Sequence, residues 1–329
     1  MARRRLGVMG TFVWDVIHGR DPMQAPTEEW GGIAYALGAL DAALTDEWEI
    51  VPIIKVGTDL AERARDFLGT LRRLAPDAAP IEVPYPNNRV TIYYHSNERR
   101  SEYLRGGIPG WAWMGLKPLL GEIDALYINL ISGFELDLET AQLIRQGFAG
   151  VIYCDLHSLV LAVNPDGLRV PQPIPNVAAW MRCFDLLQVN EDEMHLLAPD
   201  AMALAATAMA GGVSVINVTM GARGVVYFAA SRIERLFDIT RRPLAAAGAV
   251  EGPIRTALVP AVAARDGGGV GGDPTGCGDV WGATYFARLL AGDNLGNAMA
   301  AALGAAARNV DHRGARGLAN YLRGELSVT

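Results

Sequence analysis

Cysteine is scarce in this 329-residue chain, with Cys154, Cys183 and Cys277 the three present. An odd count without Cys-x-x-Cys spacing builds neither a disulfide framework nor a zinc ribbon and suits a reducing cytoplasm. Histidine is sparse too: the five residues are scattered, with no His-Glu-x-x-His and no metal cluster. Gly-x-x-x-x-Gly-Lys-Ser/Thr and Gly-x-Ser-x-Gly are both missing, which removes the P-loop and the hydrolase nucleophile elbow. Positive charge is in deficit, at a net −7, so a general nucleic-acid binder is not expected. No run of about 18 apolar residues offers a membrane span. Met1-Ala2-Arg3-Arg4-Arg5 passes into Leu6–Met9 without the apolar region of a signal peptide. The expectation left standing is a soluble cytoplasmic protein whose partners are small molecules.

What is present is a large apolar fraction, 50% of the residues, enough to bury one big α/β core across residues 1–329. Leu6–Gly10 reads as a buried first strand, followed by a second at 12–17 that exposes one face and carries Asp15. Gly31-Gly32 opens a small-residue helix in which Tyr35 belongs to an apolar face. Ile50–Val56 is another apolar run, and Gly57-Thr58-Asp59 leads into an amphipathic helix ending near Leu74. Arg89–His95 and Ser101–Leu104 flank a polar turn as a hairpin, which with residues 11–30 makes a small sheet beside the main body. The runs 125–130, 151–155, 186–189 and 213–219 then alternate with longer mixed stretches. That rhythm predicts parallel strands with crossover helices and a ligand at the strands' C-terminal ends. Residues 243–249 and 266–272, rich in Ala and Gly, read as loops.

Chemistry concentrates in Gly272-Asp273-Pro274-Thr275-Gly276-Cys277-Gly278-Asp279, which runs directly into a long small-residue helix. Glycines at 276 and 278 let backbone approach a ligand, and the helix start aims unpaired N–H groups and a positive dipole end at the turn. Asp279 at that mouth is expected to stay ionised and to accept a proton. A thiol at a helix N-terminus, Cys277, can have a lowered pKa, but an unreactive small residue is the commoner use of such a cysteine. Asn190-Glu191-Asp192-Glu193 supplies acids to the start of another helix, and Thr219-Met220-Gly221-Ala222-Arg223-Gly224 reads as a β-turn. Gly267-x-Gly269-x-x-Gly272 has dinucleotide spacing, but Asp-Pro-Thr-Gly follows it where a helix should open.

The octapeptide, in this position, resembles the C-terminal signature of the ribokinase-like (PfkB-type) sugar and nucleoside kinases, with Pro274 where Thr is commoner and Cys277 where Ala is commoner. The resemblance implies a three-layer α/β/α fold with a mainly parallel central sheet and a β-sheet lid formed by about 11–30 and 87–107. It implies an ATP-dependent kinase that phosphorylates a hydroxyl of a sugar, polyol or nucleoside. Asp279 would be the base, with Gly276, Cys277 and Gly278 forming the anion hole. Asn190 and Glu193 match the Asn-x-x-Glu motif that organises Mg²⁺, Glu193 acting through water. Thr219, Gly221, Gly224 and Thr275 would lie at the nucleotide phosphates, and Val310–Ala315 near the adenine. Asp15, Gly31, Gly32, Tyr35 and Asp273 would meet the acceptor. Ala36 stands where the family carries Asn, and Glu62 where it carries Gly. A monovalent cation and a homodimer through the lid also belong to the resemblance. A nucleoside kinase and a non-catalytic binding protein on the same fold are the alternatives.

Overall fold

The computed structural model describes residues 3–19, 23, 25–94, 100–239, 252–263 and 273–325. Its strands are β1 (Arg4–His18), β2 (Thr27–Gly32), β3 (Trp48–Gly57), β4 (Ile81–Val83), β5 (Arg89–Tyr94), β6 (Arg100–Arg105), β7 (Ala125–Asn129), β8 (Val151–Asp155), β9 (Leu161–Val163), β10 (Arg169–Pro171), β11 (Leu186–Asn190), β12 (Val215–Thr219), β13 (Val225–Ala230) and β14 (Ile254–Val259). The helices are α1 (Ile33–Ala43), α2 (Ala61–Leu68), α3 (Trp113–Leu120), α4 (Leu138–Gly147), α5 (Val177–Met181), α6 (Glu191–Leu197), α7 (Ala201–Gly211), α8 (Cys277–Leu290), α9 (Leu295–Asn309) and α10 (Leu318–Arg323).

The central sheet runs β14-β13-β12-β11-β8-β7-β1-β3-β4, parallel from β12 to β4 and antiparallel at β13 and β14. Because successive strand residues point to opposite faces, each apolar run feeds two cores. Leu6, Val8, Tyr127, Tyr153, Leu186 and Val215 pack with α1, α8 and α9. Met9, Leu126, Ile128, Ile152, Leu187 and Ile216 pack with residues of α3 to α7 on the other face. The result is the expected three-layer α/β/α arrangement. Each fully buried Leu or Ile contributes about 1.5–3 kcal/mol of transfer free energy to it.

Strands β4, β13 and β14 add to the runs read from the sequence, and three further elements differ from it. The two separate strands read at 6–10 and 12–17 are one continuous β1. Its first half pairs with β3 and β7, and its second half leaves the main sheet to pair with β2 and β5, with β6 beyond. This one strand therefore hangs the small sheet off the main one. Helix α2 stops at Leu68 rather than near Leu74, because Gly69 caps it and Thr70 and Leu71 turn back onto Phe67 and Leu68. The hairpin β9–β10 was not foreseen; its strands are three residues each, too short to show a period. Residues 243–249 and 266–272 lie outside the described residues, as does most of the turn between β5 and β6. Among the described residues no helix is long and apolar enough to cross a membrane.

Candidate active site

Parallel strands that end side by side set their last residues in a row. Asn129 closes β7, Asp155 β8, Asn190 β11 and Thr219 β12, all polar after apolar runs. The N-terminus of α8 meets Asn129 directly and faces Asp155, Asn190 and Thr219 across a cavity of about 650 Å³. Asp15, Gly32, Tyr35, Asn190, Glu193, Thr219, Gly221 and the whole of Thr275–Asp279 line it. Most of the sequence-predicted residues, scattered from Asp15 to Asp279, thus meet in one place.

The turn entering α8 is built by short-range bonds. The Asp273 carboxylate accepts from Thr275 N–H at 2.9 Å, and Asn309 Nδ2 donates to the Thr275 carbonyl at 2.8 Å. Gly276 caps the helix at φ +75°, and a Cβ there would lie 2.3 Å from the ring of Tyr35, so only glycine fits. Cys277 N–H is taken up by the Pro274 carbonyl at 3.1 Å, which removes it from the expected anion hole. The N–H groups of Gly276 and Gly278 have no acceptor among the described residues. They are the turn's donors open to an anion, and the Thr275 hydroxyl beside them is buried without a hydrogen-bond partner among the described residues.

Asp279 is 9% exposed, and Asn129 Nδ2 donates to its Oδ1 at 2.5 Å. Burial raises its pKa from the ordinary 3.8, against the pull of His157 and Asn129. The helix-end field was expected to keep this carboxyl acidic; burial outweighs it. Asp155 is pushed well above the carboxylate range by burial, with His157 opposing and Glu193 and Asp279 adding to the rise. Burial works against the imidazolium of His157, but Glu193, 3.6 Å away, and the charges of Asp279 and Asp155 carry its pKa up to about 9. For Cys277, burial pushes the thiol up to about 11, which fits the unreactive small residue and not the activated thiol.

Asn190 and Glu193 form a capping box at α6: the Asn190 side chain accepts from Glu193 N–H, and Glu193 accepts from Asn190 N–H, both at 2.8 Å. Their structural use is therefore explicit, while both also line the cavity. Gly31, Gly224 and Asp273 are not on its wall. Gly31 makes room for the Asp15 carboxylate, and Gly224 allows the turn into β13 against the Val259 carbonyl. Arg223 pairs with Glu191 on the surface.

Several lining residues escaped the sequence reading: Asp155, His157 and Gln188, together with Arg169 and Glu102. Gln188 donates to Asp155 at 2.9 Å and to the Gly278 carbonyl at 3.0 Å, tying β8 to α8. His157 sits at φ +37°, a rare backbone state for a side chain other than glycine. A polar residue closing an apolar strand run was the signal available for Asn129 and Asp155; His157 and Gln188 carried none.

Asp155, Glu193 and Asp279 set three carboxyl groups close enough to repel one another, an arrangement that a hard cation relieves. Among the described residues no three or more such groups close on one point as a full metal cage. Mg²⁺ held by one or two carboxylates, waters and substrate phosphates needs no cage, so the donor set fits it.

No family model matches the chain, and no curated protein is detectably similar to it in sequence. Solved structures do match over nearly the full length. A pyrophosphate-dependent kinase in the ribokinase family, complexed with a pyrophosphate analog and myo-inositol, is 13% identical over 94% of this chain and 96% of that one, with a TM-score of 0.69. The nucleoside kinase of Burkholderia thailandensis in complex with inosine is 16% identical, covering 98% and 95% at a TM-score of 0.66. The ribokinase of Arabidopsis thaliana complexed with ribose and ATP is 14% identical, covering 98% and 99% at 0.64. Continuous β1, the parallel sheet, the small sheet at its end and the α8 turn all belong to one architecture: the chain has the ribokinase-like α/β/α fold.

Proposed function

We propose that the protein is an ATP-dependent kinase of the ribokinase-like family that transfers the γ-phosphoryl group to a hydroxyl of a sugar, polyol or nucleoside. The observation that carries this reading is the pairing, within one turn, of the Gly276 and Gly278 N–H groups with the buried Asp279 carboxyl. Myo-inositol, inosine and ribose in the structurally similar kinases support an alcohol acceptor, and ATP in one of them supports the donor.

Phosphoryl transfer needs positioning and charge stabilisation more than covalent chemistry. Asp15, Gly32 and Tyr35 hold the acceptor so that its hydroxyl reaches Asp279. Asn129, bonded to Oδ1, orients that carboxylate, and its elevated pKa makes it a better proton acceptor than a solvated Asp. The Gly276 and Gly278 N–H groups and the positive end of α8 stabilise the charge on the transferring group's oxygens. Glu193 through water, with Asp155, would hold Mg²⁺, which supplies further positive charge to the phosphates. Thr219, Gly221 and Thr275 bound the donor side. The small sheet of β2, β5, β6 and the second half of β1 serves as the lid, all within one domain.

Asp279→Asn keeps the size of the side chain and removes the base. Turnover should fall on the order of 10²-fold or more while donor binding persists. Turnover equal to wild type in the purified variant overturns the assignment.

A further inference from the structure

Two neighbouring strands bring a buried amide under the start of α8. Their register sets Gln188 of β11 opposite Asp155 of β8, and Tyr153, two residues back on β8, shares the same face of the sheet. Gln188 is 2% exposed, and Tyr153 is fully buried. Both hydrogens of the Gln188 amide nitrogen are used, one on Asp155 Oδ2 at 2.9 Å and one on the Gly278 carbonyl at 3.0 Å. The amide oxygen accepts from the Tyr153 hydroxyl at 2.5 Å. Burial holds that phenol well above its ordinary pKa, so it stays a donor. Two acceptors on one side and a hydroxyl on the other leave the amide a single orientation.

Helix α8 is seated directly on this group. A Cβ on Gly282, one turn after Gly278, would lie 2.2 Å from Gln188 Oε1 and 2.7 Å from the Tyr153 hydroxyl, so only glycine lets the helix come this close. Elsewhere inside a helix Ala is preferred to Gly. The first N–H groups of a helix have no intrahelical acceptor, which makes its first turn the least constrained. In α8 that turn also carries glycines at 276 and 278, which have no side chains to pack. Gln188 supplies the missing constraint, because it ties residue 278, whose own N–H is open to an anion, to the strand end that carries Asp155. A misplacement of about 1 Å between reacting groups costs on the order of 10²-fold in rate, so this link bears on transfer more than on binding.

We propose that Gln188, oriented by Tyr153, is a positioning residue that fixes the anion turn of α8 relative to the Asp155 carboxylate. Its effect on transfer rests on the kinase reading; the anchoring does not, and the two separate experimentally. Gln188→Met keeps the length of the side chain and removes its hydrogen bonds, whereas Tyr153→Phe removes only the hydroxyl that orients the amide. At saturating Mg-ATP, Gln188→Met should lower kcat about 10²-fold and Tyr153→Phe about tenfold, with KM for the acceptor within about twofold of wild type. Because the tyrosine acts through the amide, the double variant should be no slower than Gln188→Met alone. Hydrogen exchange of the ligand-free proteins reads the anchoring itself. The amides of Val280, Trp281 and Gly282 should exchange about tenfold faster in both variants, and those in the middle of α9 at the wild-type rate. A pair that only fills the core would give additive losses of kcat and faster exchange in both helices. That result, or wild-type kcat in Gln188→Met, or unchanged exchange in the α8 turn, overturns the proposal. Faster exchange confined to the α8 turn, with no transfer by the wild-type protein to any acceptor, would support the anchor and refute the kinase reading.

Discussion

Gly278 separates a ligand-driven requirement for glycine from a fold-driven one. A Cβ built there would meet nothing closer than Gln188 Nε2 at 3.7 Å, an ordinary contact, and the residue is outside the left-handed region. Within a helix Ala is favoured over Gly by up to about 1 kcal/mol. Gly278→Ala should therefore fold as well as wild type, with an unchanged or higher Tm. The added methyl lies beside Gln188 on the cavity wall, where the proposed phosphate must approach the N–H of the same residue. Loss of one such donor costs about 10²–10³ in kcat, and ADP release at saturating acceptor should fall by that much. Gly276→Ala makes the contrast: at φ +75° a side chain costs roughly 1–2 kcal/mol, and its Cβ would collide with Tyr35 at 2.3 Å, so stability and activity fall together. Full turnover by Gly278→Ala would place the anion elsewhere. A Tm well below wild type would show that the space inferred around residue 278 is wrong.

Further outcomes follow from burial. Because Asp279 must be ionised to take a proton and burial raises its pKa above 3.8, the acid limb of kcat/KM should lie above that of an exposed Asp, and Asn129→Leu should move it higher still. The sign for stability follows from the same shift. A folded pKa above the unfolded one contributes stability at low pH that is lost as pH rises through the folded value, so Asp279→Asn should stabilise the ligand-free protein at neutral pH and be neutral in acid, as thermal melts across pH would show. Cys277, with a thiol pushed up to about 11, should react with iodoacetamide at neutral pH about 10²-fold more slowly than a free thiol; reaction at the free-thiol rate contradicts the burial argument. The Arg145–Asp185 pair, at 2.6 Å with side chains 3% and 2% exposed, joins α4 to the segment before β11. Asp185→Ala removes the carboxylate that balances this buried guanidinium and should cost about 3–5 kcal/mol by chemical denaturation; a loss below about 1 kcal/mol would mean that water reaches the site.

The parallel sheet was legible because strands buried on both faces read as short apolar runs, and β7, β8, β11 and β12 fall within a residue or two of their expected spans. The α8 turn was legible because its glycines and acids are contiguous. The cavity's other half was not. Asp155 and Gln188 reach it only through strand order, and Arg169 only through a hairpin whose strands are too short for periodicity. Burial and capping add what local chemistry leaves out. The Cys277 thiol packs against Ala306 and Asn309, in line with an unreactive small residue rather than an activated thiol. The Asp279 carboxyl answers to desolvation more than to the helix end. Asn190-x-x-Glu193 caps α6, a use that the acids at a helix start already indicated.

The most direct test of the kinase account is transfer of a labelled γ-phosphoryl group from Mg-ATP to a panel of nucleosides, sugars and polyols by wild-type and Asp279→Asn protein, with the phosphorylated acceptor itself detected. The account predicts a labelled phosphate ester with at least one acceptor, reduced on the order of 10²-fold or more in the variant. Ester formed equally by both proteins, or acceptor bound with no ester formed by either, would contradict it.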